Sequence, residues 1–223
     1  MMNGRAARIG GALAVGLVVG MLLGVSWGAE GESGRPAPGR LGVEELEEME
    51  GLEAWRRDFV EEGLVAVREL DLDEYHFGSA DPAKGGFDCS GAVYYLLQRS
   101  GVEAQPPRSS AAQYDWIKAR GGMREVPVEV ASLDDAVFDE LKPGDLLFWS
   151  GTYQPTDGRT NGVTHVQIYL GRLKSDGRRV MLGSSDGRSY EGRARCGFGV
   201  FDLRLPRAGS KARLIGFGAL RAN

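Results

Sequence analysis

The sequence predicts an α+β fold in which helices pack on a central antiparallel sheet of about five or six strands. Apolar residues recur at helical spacing in the first half of the chain, between residues 52 and 119. Short apolar or alternating runs, separated by glycine, proline or aspartate, follow from residue 146 onwards. Helices first and consecutive strands afterwards are the order expected of an α+β chain.

Residues 1–29 have the pattern of a secretory signal peptide. Arg5 and Arg8 precede an uncharged run, Ile9–Val25, and this segment contains no acidic residue. Small residues favour cleavage after Gly28, and an uncleaved membrane anchor is the alternative, because the run is slightly long for a signal and slightly short for a span. We therefore expect an exported protein of the periplasm, cell envelope or extracellular space, attached to a membrane only if this segment is retained.

Residues 30–41 are rich in glycine, proline and serine and are predicted to be a flexible linker. Residues 42–223 are long enough for one well-buried domain and short for two. The chain has 31 acidic and 27 basic residues, and its acidic excess lies between residues 44 and 62, as is typical of a solvated helix face. The sequence shows no basic face, so we expect no nucleic-acid partner.

Three helices are expected before the strands. The first lies between residues 52 and 70, and residues 71–86 after it are interpreted as a loop. The second helix runs from Cys89 to Arg99, and a third starts after two prolines with Ser109 as its cap, or Ser110 one position later. The apolar face of the first helix consists of Leu52, Trp55, Phe59, Leu64, Val67 and Leu70.

The strands begin after a Pro-Gly turn, Leu141–Asp145. A buried strand is predicted at 146–149, and a polar segment, Gly151–Val163, connects it to a second strand at 165–171. Alternation in the second strand places His165, Gln167 and Tyr169 on one face and Val166, Ile168 and Leu170 on the other. Further strands are expected at 180–184, 199–205 and 213–220.

Cys89 is placed in the first turn of its helix, after a glycine-rich approach. The free N–H groups and the positive end of the helix dipole at that position are expected to lower the pKa of the thiol from its free value of about 8.5. Asp88 is expected to be the N-cap, and the N–H of Cys89 itself faces a possible oxyanion. The alternative is that Cys89 is a small buried hydrophobic residue, as free cysteines usually are.

Cys89 and Cys196 are the two cysteines of the chain. In an exported protein they are able to form one disulfide, and that bond would abolish a nucleophile at Cys89. We interpret Cys196, which precedes a predicted strand, as a free or buried thiol, and expect no bridge between the two.

A histidine partner for Cys89 must be His76 or His165, because the chain has two histidines. His165 is the better candidate, since it opens a strand directly after a long polar loop, where a side chain faces a cleft while the strand fixes its ring. His76 lies in the loop before the cysteine and is interpreted as a surface or packing residue.

Several motifs in the right order resemble one known family. The segments FDCSG, LKPGDLLFW and THVQIYLG are similar to those of the NlpC-type bacterial cell-wall cysteine peptidases, within the papain-like superfamily. The segment Tyr75–Gly78 before the cysteine and Pro107–Gln113 after its helix resemble the same family, so that the likeness extends over about residues 70 to 184.

The resemblance implies a papain-like fold and a set of roles. Cys89 would be the nucleophile and His165 the general base and then acid, with Tyr75, Asp88 and Ser90 as substrate-binding residues of the cleft. The implied activity is hydrolysis of amide bonds in peptidoglycan peptides, with no metal or cofactor. We expect the protein to act on these peptides as a monomer.

The sequence departs from this family at one position. Such enzymes usually carry a third polar residue on the next strand that orients the histidine, and the aligned residue here is Gly183. Glycine has no side chain to orient an imidazole. Ser185 lies on the same face of the predicted strand, so Ser185 or a trapped water is expected to substitute.

Two other functions use the same motifs. A Cys/His pair can transfer an acyl group to acceptors other than water, so one alternative is a papain-like acyltransferase acting on lipids or other acceptors. That function predicts an apolar, membrane-facing surface, whereas the loop Gly151–Val163 is polar. The second alternative, suggested by Gly183, is an inactive peptidoglycan-binding homologue.

Overall fold

The computed structural model describes residues 39–207 and 209–221. Its three α-helices are α1 (Ala54–Leu70), α2 (Cys89–Arg99) and α3 (Ser110–Ala119). Its strands are β1 (Glu74–Tyr75), β2 (Gly86–Phe87), β3 (Met123–Glu125), β4 (Leu146–Ser150), β5 (Val163–Arg172), β6 (Arg179–Tyr190), β7 (Arg193–Asp202) and β8 (Arg213–Gly218). Short 3-10 helices lie at Val43–Glu45, Glu47–Met49, Pro82–Lys84 and Ala136–Glu140.

Six strands form one antiparallel sheet in the order β3-β8-β4-β5-β6-β7. Apolar residues of all three helices pack with Val166, Ile168 and Leu170 of β5 in the larger core cluster. A smaller cluster on the other face contains Trp149 and Tyr169. The α+β class, the antiparallel sheet and the alternation in β5 are therefore confirmed.

The segment interpreted as a loop before Cys89 contains two short strands, which corrects that interpretation. β1 and β2 pair in parallel, with Glu74 opposite Gly86 and Tyr75 opposite Phe87. The hydroxyl of Ser184 on β6 donates to the carbonyl of Phe87 at 2.7 Å and joins this small sheet to the large one. Two-residue strands carry no periodic pattern for sequence analysis to detect. Their effect is to fix Tyr75 beside the start of α2.

β6 and β7 are longer than the sequence suggests, and they form a hairpin. Glu191 and Gly192 connect them with positive φ angles of 53° and 73°, a conformation that fits the right-handed twist of paired strands. The sequence predicts that this strand ends at Ser184, but β6 continues beyond it, since pairing resumes at Arg188 and extends to Tyr190. The extension brings Arg188 towards the end of the sheet that carries His165.

The folded region begins inside the segment expected to be a linker. Gly39 pairs with Val200 of β7, and Leu41 is buried in the larger core cluster. Leu72 also accepts a hydrogen bond from the N–H of Phe198 at 2.9 Å, so that the second half of β7 is covered. The predicted signal peptide lies outside the described residues. Within the described part of the chain, no helix combines the length and the apolar character needed to cross a membrane.

A buried ion pair attaches α1 to the turn before β4. The guanidinium of Arg56 donates to the Asp145 carboxylate at 2.7 Å and to the carbonyl of Pro143 at 2.9 Å. Both side chains are almost inaccessible, at 2% and 4% exposed. Burial raises the pKa of Asp145 although Arg56 opposes that shift. Desolvation therefore offsets much of the attraction, as is common for buried pairs.

We predict that Arg56→Met lowers the free energy of unfolding by roughly 3–5 kcal/mol, because it leaves Asp145 buried without its cation. The double variant Arg56→Met/Asp145→Leu should recover at least half of that loss. Urea unfolding measures both. Arg124→Met is the control, since it breaks an exposed pair with Glu140 and should cost less than about 1 kcal/mol. A double variant no more stable than Arg56→Met would show that the pair itself holds α1.

Candidate active site

Asp88 caps the helix that carries Cys89, as the sequence predicts. Its carboxylate accepts the N–H of Gly91 at 2.6 Å and the hydroxyl of Ser90 at 3.1 Å. Cys89 is consequently the first residue of α2 and is 5% exposed. The side chain of an aspartate fits this position because it accepts one of the free N–H groups of the first helical turn.

The same carboxylate joins two other segments to the helix start. It accepts the N–H of Gly78 at 2.9 Å, and Arg108 donates to both of its oxygens at 2.8 and 3.1 Å. The loop before the cysteine packs so closely that a Cβ atom on Gly91 would lie 1.9 Å from the carbonyl oxygen of Ser79. Glycine is therefore required at position 91 for the loop to rest on α2.

The sulfur of Cys89 is held against the strand that carries His165. The backbone N–H of Val166, the residue after His165, donates to it, as do the N–H of Ser90 and the hydroxyl of Tyr75. The N–H of Cys89 in turn donates to the phenolic oxygen of Tyr75. Tyr75 thus covers both the sulfur and the backbone donor beside it.

The pKa of Cys89 is raised, first because the thiol is buried and second because the Asp88 carboxylate lies beside it. The donors from Val166, Tyr75 and Ser90 act in the opposite direction and offset only part of the shift. The expectation that the first helical turn lowers this pKa is therefore wrong. The residue that caps the helix is itself an anion, and its charge opposes a second one at the sulfur.

His165 lies on β5 opposite Trp149 of β4, with the two rings 5.6 Å apart between centroids. It is 8% exposed, and its Nε2 atom has no hydrogen-bond partner. Its pKa lies well below the ordinary value, first because of burial and second because of the cation of Arg188. Both shifts favour the uncharged forms, a thiol at Cys89 and an unprotonated imidazole at His165.

Two adjoining cavities form the cleft. The Cys89 cavity, of about 260 Å³, is lined by Asp88, Cys89, Ser90 and Arg108. The His165 cavity, of about 650 Å³, is lined by Trp149, His165, Ser185, Arg188 and Lys211. Their shared wall consists of Tyr75, Phe77, Tyr153 and Thr164. One continuous groove therefore passes both candidate catalytic residues and every residue that the sequence assigned to the cleft.

Phe77 and Tyr153 form an aromatic pair on the shared wall of the groove. Their rings meet edge to face at 6.0 Å between centroids, and Phe77 is 77% exposed. A large apolar side chain with this exposure beside a cleft suits contact with a ligand.

Ser185 lines the His165 cavity, but its hydroxyl makes no hydrogen bond with His165. The Ser185 hydroxyl accepts the N–H of Gly187 at 3.5 Å. The space beside Gly183 is filled from the neighbouring strand, because a Cβ there would lie 2.8 Å from Cγ of Gln167. Gln167 is fully buried, and neither polar atom of its amide has a partner.

The remaining predictions concern His76, a possible disulfide and a possible metal site. His76 contacts Glu74 at 2.7 Å and lines neither cavity. Cys89 and Cys196 are both free, so the expectation of no bridge between them is confirmed. In the described residues, no cluster of three or more His, Cys, Asp or Glu side chains is placed to bind a metal ion.

Sequence reasoning missed Gln167 and Arg188 as site residues. Gln167 had a detectable signal, since the alternation of β5 places this polar residue on the same face as His165. Arg188 had none, because its place beside Trp149 depends on the length of β6.

A cysteine at the N-terminus of a helix, packed against a histidine-bearing strand of an antiparallel sheet, defines a papain-like cysteine peptidase scaffold. The family model described as "NlpC/P60 family" matches residues 73–191, more than half of the chain. The chain belongs to the NlpC/P60 family, whose members are cysteine peptidases.

Two curated relatives are similar over the same region. A gamma-DL-glutamyl hydrolase of Bacillus subtilis (strain 168) is 33% identical over 97 residues, and the murein DD-endopeptidase MepH of Escherichia coli (strain K12) is 34% identical over 100 residues. The matches cover 44% and 45% of this chain but only 18% and 29% of the two relatives. A solved NlpC/P60 endopeptidase from Photobacterium damselae subsp. piscicida is 15% identical, with a TM-score of 0.43 over 74% of this chain and 38% of its own.

We predict that alkylation of Cys89 by iodoacetamide increases with pH with a midpoint above about 8.5, the value of a free thiol, because burial and Asp88 raise the pKa of Cys89. Tyr75→Phe should move the midpoint higher still, since it removes a donor to the sulfur. The rates are measured by intact mass spectrometry in the Cys196→Ser background, with a one-cysteine peptide as reference. A midpoint below pH 7 would show that the N–H groups and dipole of the helix start lower the pKa of Cys89 by more than burial and Asp88 raise it.

Proposed function

We propose that the protein hydrolyses amide bonds in the peptide stems of peptidoglycan, with Cys89 as nucleophile and His165 as general base and then acid. One observation carries the proposal: the N–H of Val166, next to His165 in the chain, donates to the sulfur of Cys89. The thiol is thereby docked on the strand that bears the base. Family membership and the two relatives, named as a murein endopeptidase and a glutamyl hydrolase, support the substrate class.

Attack begins from the neutral pair. As the sulfur of Cys89 bonds to the substrate carbonyl carbon, its proton passes to the imidazole of His165, and the charge separation forms only when the substrate has excluded water. Because the pKa of His165 lies well below its ordinary value, the imidazole stays unprotonated and competent in mildly acidic solution. General base catalysis of this kind typically contributes about 10² to 10⁴ in rate.

The N–H of Cys89 and the hydroxyl of Tyr75 are the donors nearest to the developing oxyanion. In the free protein they bond to each other, and a substrate oxygen replaces that contact. His165 then donates its proton to the leaving amine. Water, activated by the same imidazole, hydrolyses the acyl-enzyme and restores the thiol.

Asp88 and Ser90 are retained as substrate-binding residues, since both line the Cys89 cavity. Their second task is structural, because Arg108 donates to both of them, at 2.8 to 3.1 Å, and holds them together at the helix start.

We propose in addition that the N-terminal segment exports the protein to the compartment in which a peptidoglycan substrate is found. Detection of a mature protein beginning near residue 29 in an envelope or extracellular fraction tests that step.

We predict that Cys89→Ala abolishes hydrolysis with the fold intact, because alanine is tolerated at a helix start and the substitution removes the sulfur that attacks the carbonyl. His165→Ala should lower kcat/KM by at least about 10³, near the upper range for a general base. His76→Ala is the matched control and should retain activity within about threefold, since His76 lines neither cavity.

The assay is mass spectrometry of muropeptides digested with residues 30–223, with circular dichroism as the check on folding. Turnover by Cys89→Ala would end the peptidase hypothesis. Equal losses for the two histidine variants would identify His76 as a functional partner.

We also propose that a side chain orients His165 in place of Gly183. Ser185 is the residue that the sequence suggests, and Gln167 is the residue with a free acceptor, since both of its amide atoms and Nε2 of His165 are buried without partners. Buried polar atoms are usually hydrogen-bonded. A rotation of the Gln167 amide would satisfy two such atoms at once.

Gln167→Leu should lower kcat at least tenfold, about 1.4 kcal/mol, and Ser185→Ala less, because the Ser185 hydroxyl already bonds to Gly187. Gln167→Glu is the conservative control that keeps an acceptor. The pH dependence of kcat distinguishes a role of Gln167 in positioning His165 from a role in packing alone, since loss of an acceptor on the imidazole lowers the pKa of the catalytic histidine.

The Gly183→His variant has to be made in the Gln167→Ala background, because its Cβ would otherwise clash with the Gln167 side chain. A larger loss in Ser185→Ala would restore Ser185 as the orienting residue.

A further inference from the structure

A cavity rich in arginine lies where β5 ends and β6 begins, at the end of the sheet away from His165. Its volume is about 260 Å³. We call it the arginine cavity, because its lining includes four arginines, together with two aspartates: Arg172, Arg178, Arg179, Arg204, Asp134 and Asp202. Arg172 follows His165 by seven residues on β5, so the usual rise per residue places the two roughly 20 Å apart. The catalytic roles assigned above therefore do not explain these arginines.

Arg179 is the most buried of the four arginines. It is 9% exposed, and its Nε and Nη1 atoms have no hydrogen-bond partner. Among the described residues it takes part in no ion pair. Its guanidinium lies 5.8 Å from the centroid of the Phe138 ring, which is near the outer limit of a cation–π contact. A buried guanidinium with free donors carries a desolvation cost that so distant a contact does not offset.

Arg179 also faces a second cation across the sheet. It pairs with Arg172 in the register of β5 and β6, so both side chains leave the sheet on the same face. Like charges directly opposite each other destabilise an antiparallel pair. Glu48 relieves Arg172 only in part, since its Oε1 atom lies 3.9 Å from Nε of that arginine. Stability does not account for this pair of arginines, whereas an anion held between them does.

The acidic residues of the lining leave Arg179 without a counter-ion. Asp202 is held by Arg178 at 2.7 Å and by Arg204 at 2.9 Å. Asp134 is exposed to solvent. Four arginines against two aspartates leave the lining with a formal surplus of two positive charges.

A larger cavity of about 520 Å³ shares Arg172 and Arg179 with the arginine cavity. Its charge has the opposite sign, because its lining holds four acidic residues and three basic ones. The acidic residues are Glu48, Glu50, Glu53 and Asp139. An anion that binds Arg179 is therefore expected on the side of the arginine cavity.

Phosphate is the anion that matches these groups. Guanidinium groups bind phosphate through charge-assisted and often bidentate hydrogen bonds. A phosphate monoester carries close to two negative charges at neutral pH and offers three acceptor oxygens. It thus balances the surplus charge and serves two guanidinium groups at once. A carboxylate has one charge and two oxygens, so it would leave one of the two arginines unpaired.

We propose that the arginine cavity binds a phosphate group, with Arg172 and Arg179 as the residues that hold it. The ligand is inorganic phosphate or the phosphate of an ester, which present the same oxygens to these two side chains. The site goes beyond the peptidase function proposed above and does not depend on it.

Calorimetric titration of the protein with inorganic phosphate, at neutral pH and constant ionic strength, tests the site. The wild-type protein should bind one phosphate with a Kd of about 1 mM or tighter. Arg179→Met and Arg172→Gln should each weaken binding at least tenfold. Arg188→Gln is the matched control, because it removes a cation from the catalytic groove, and it should leave the Kd within about twofold of the wild-type value.

A titration with glycerol 3-phosphate distinguishes the two sources of the phosphate group. An affinity equal to or tighter than that for inorganic phosphate would identify the ligand as an ester. Binding of inorganic phosphate alone would identify it as the free ion. Either result must be lost in Arg179→Met to support the site.

Thermal unfolding separates binding from a purely structural role of Arg179. Saturating phosphate should raise the Tm of the wild-type protein, because it binds the folded state, and should leave the Tm of Arg179→Met unchanged. Without phosphate, Arg179→Met should be at least as stable as the wild-type protein, since methionine keeps an apolar stem and removes an unpaired charge. A structural arginine would instead give a lower Tm for the variant in both buffers.

Three results would overturn the site: no binding to the wild-type protein at phosphate concentrations up to about 10 mM, binding that Arg179→Met leaves unchanged, or binding that Arg188→Gln removes. The last result would place the anion in the groove. Muropeptide hydrolysis by the wild-type protein is measured separately, so failure of the phosphate site leaves the peptidase function standing, and the converse also holds.

Discussion

The site depends on the carboxylate of Asp88. It caps α2, receives the N–H of Gly78 and is held by Arg108, so one side chain determines where the cysteine helix, the preceding loop and the following segment meet. Beside that cap, Gly91 packs so closely on Ser79 that position 91 has no room for a side chain. The arrangement has an electrostatic cost, because the anion that orders the site also opposes a thiolate at Cys89. Asp88 thus fixes the position of Cys89 but disfavours the reactive thiolate in the free site.

Local sequence patterns were sufficient for most of the fold. The caps Asp88 and Ser109 and the alternation in β5 each act within a few residues, and they gave correct helix starts and strand faces. Long-range effects were not accessible. The pairing of Tyr75 with Phe87, the length of β6 and the raised pKa of Cys89 each depend on segments distant in the chain or on burial.

The position of Gly183 shows how a gap in a motif can be understood from packing. The sequence shows only that a side chain is missing, and a neighbouring hydroxyl is the simplest substitute. In the fold, Gln167 from the adjacent strand occupies that space. The space left by the missing side chain on β6 is thus filled by a side chain from β5. Periodicity within a single strand does not reveal this, because the compensation runs across the sheet.

The edges of the large sheet bear on how the protein behaves at high concentration. The second half of β7 is covered by Gly39 and Leu72, its first half carries Arg193 and Arg195, and β3 at the opposite edge is three residues long with an exposed arginine. Short, charged or covered edges give another chain no continuous row of free backbone groups to extend. The domain can therefore reach high local concentration without its edge strands pairing into intermolecular sheets.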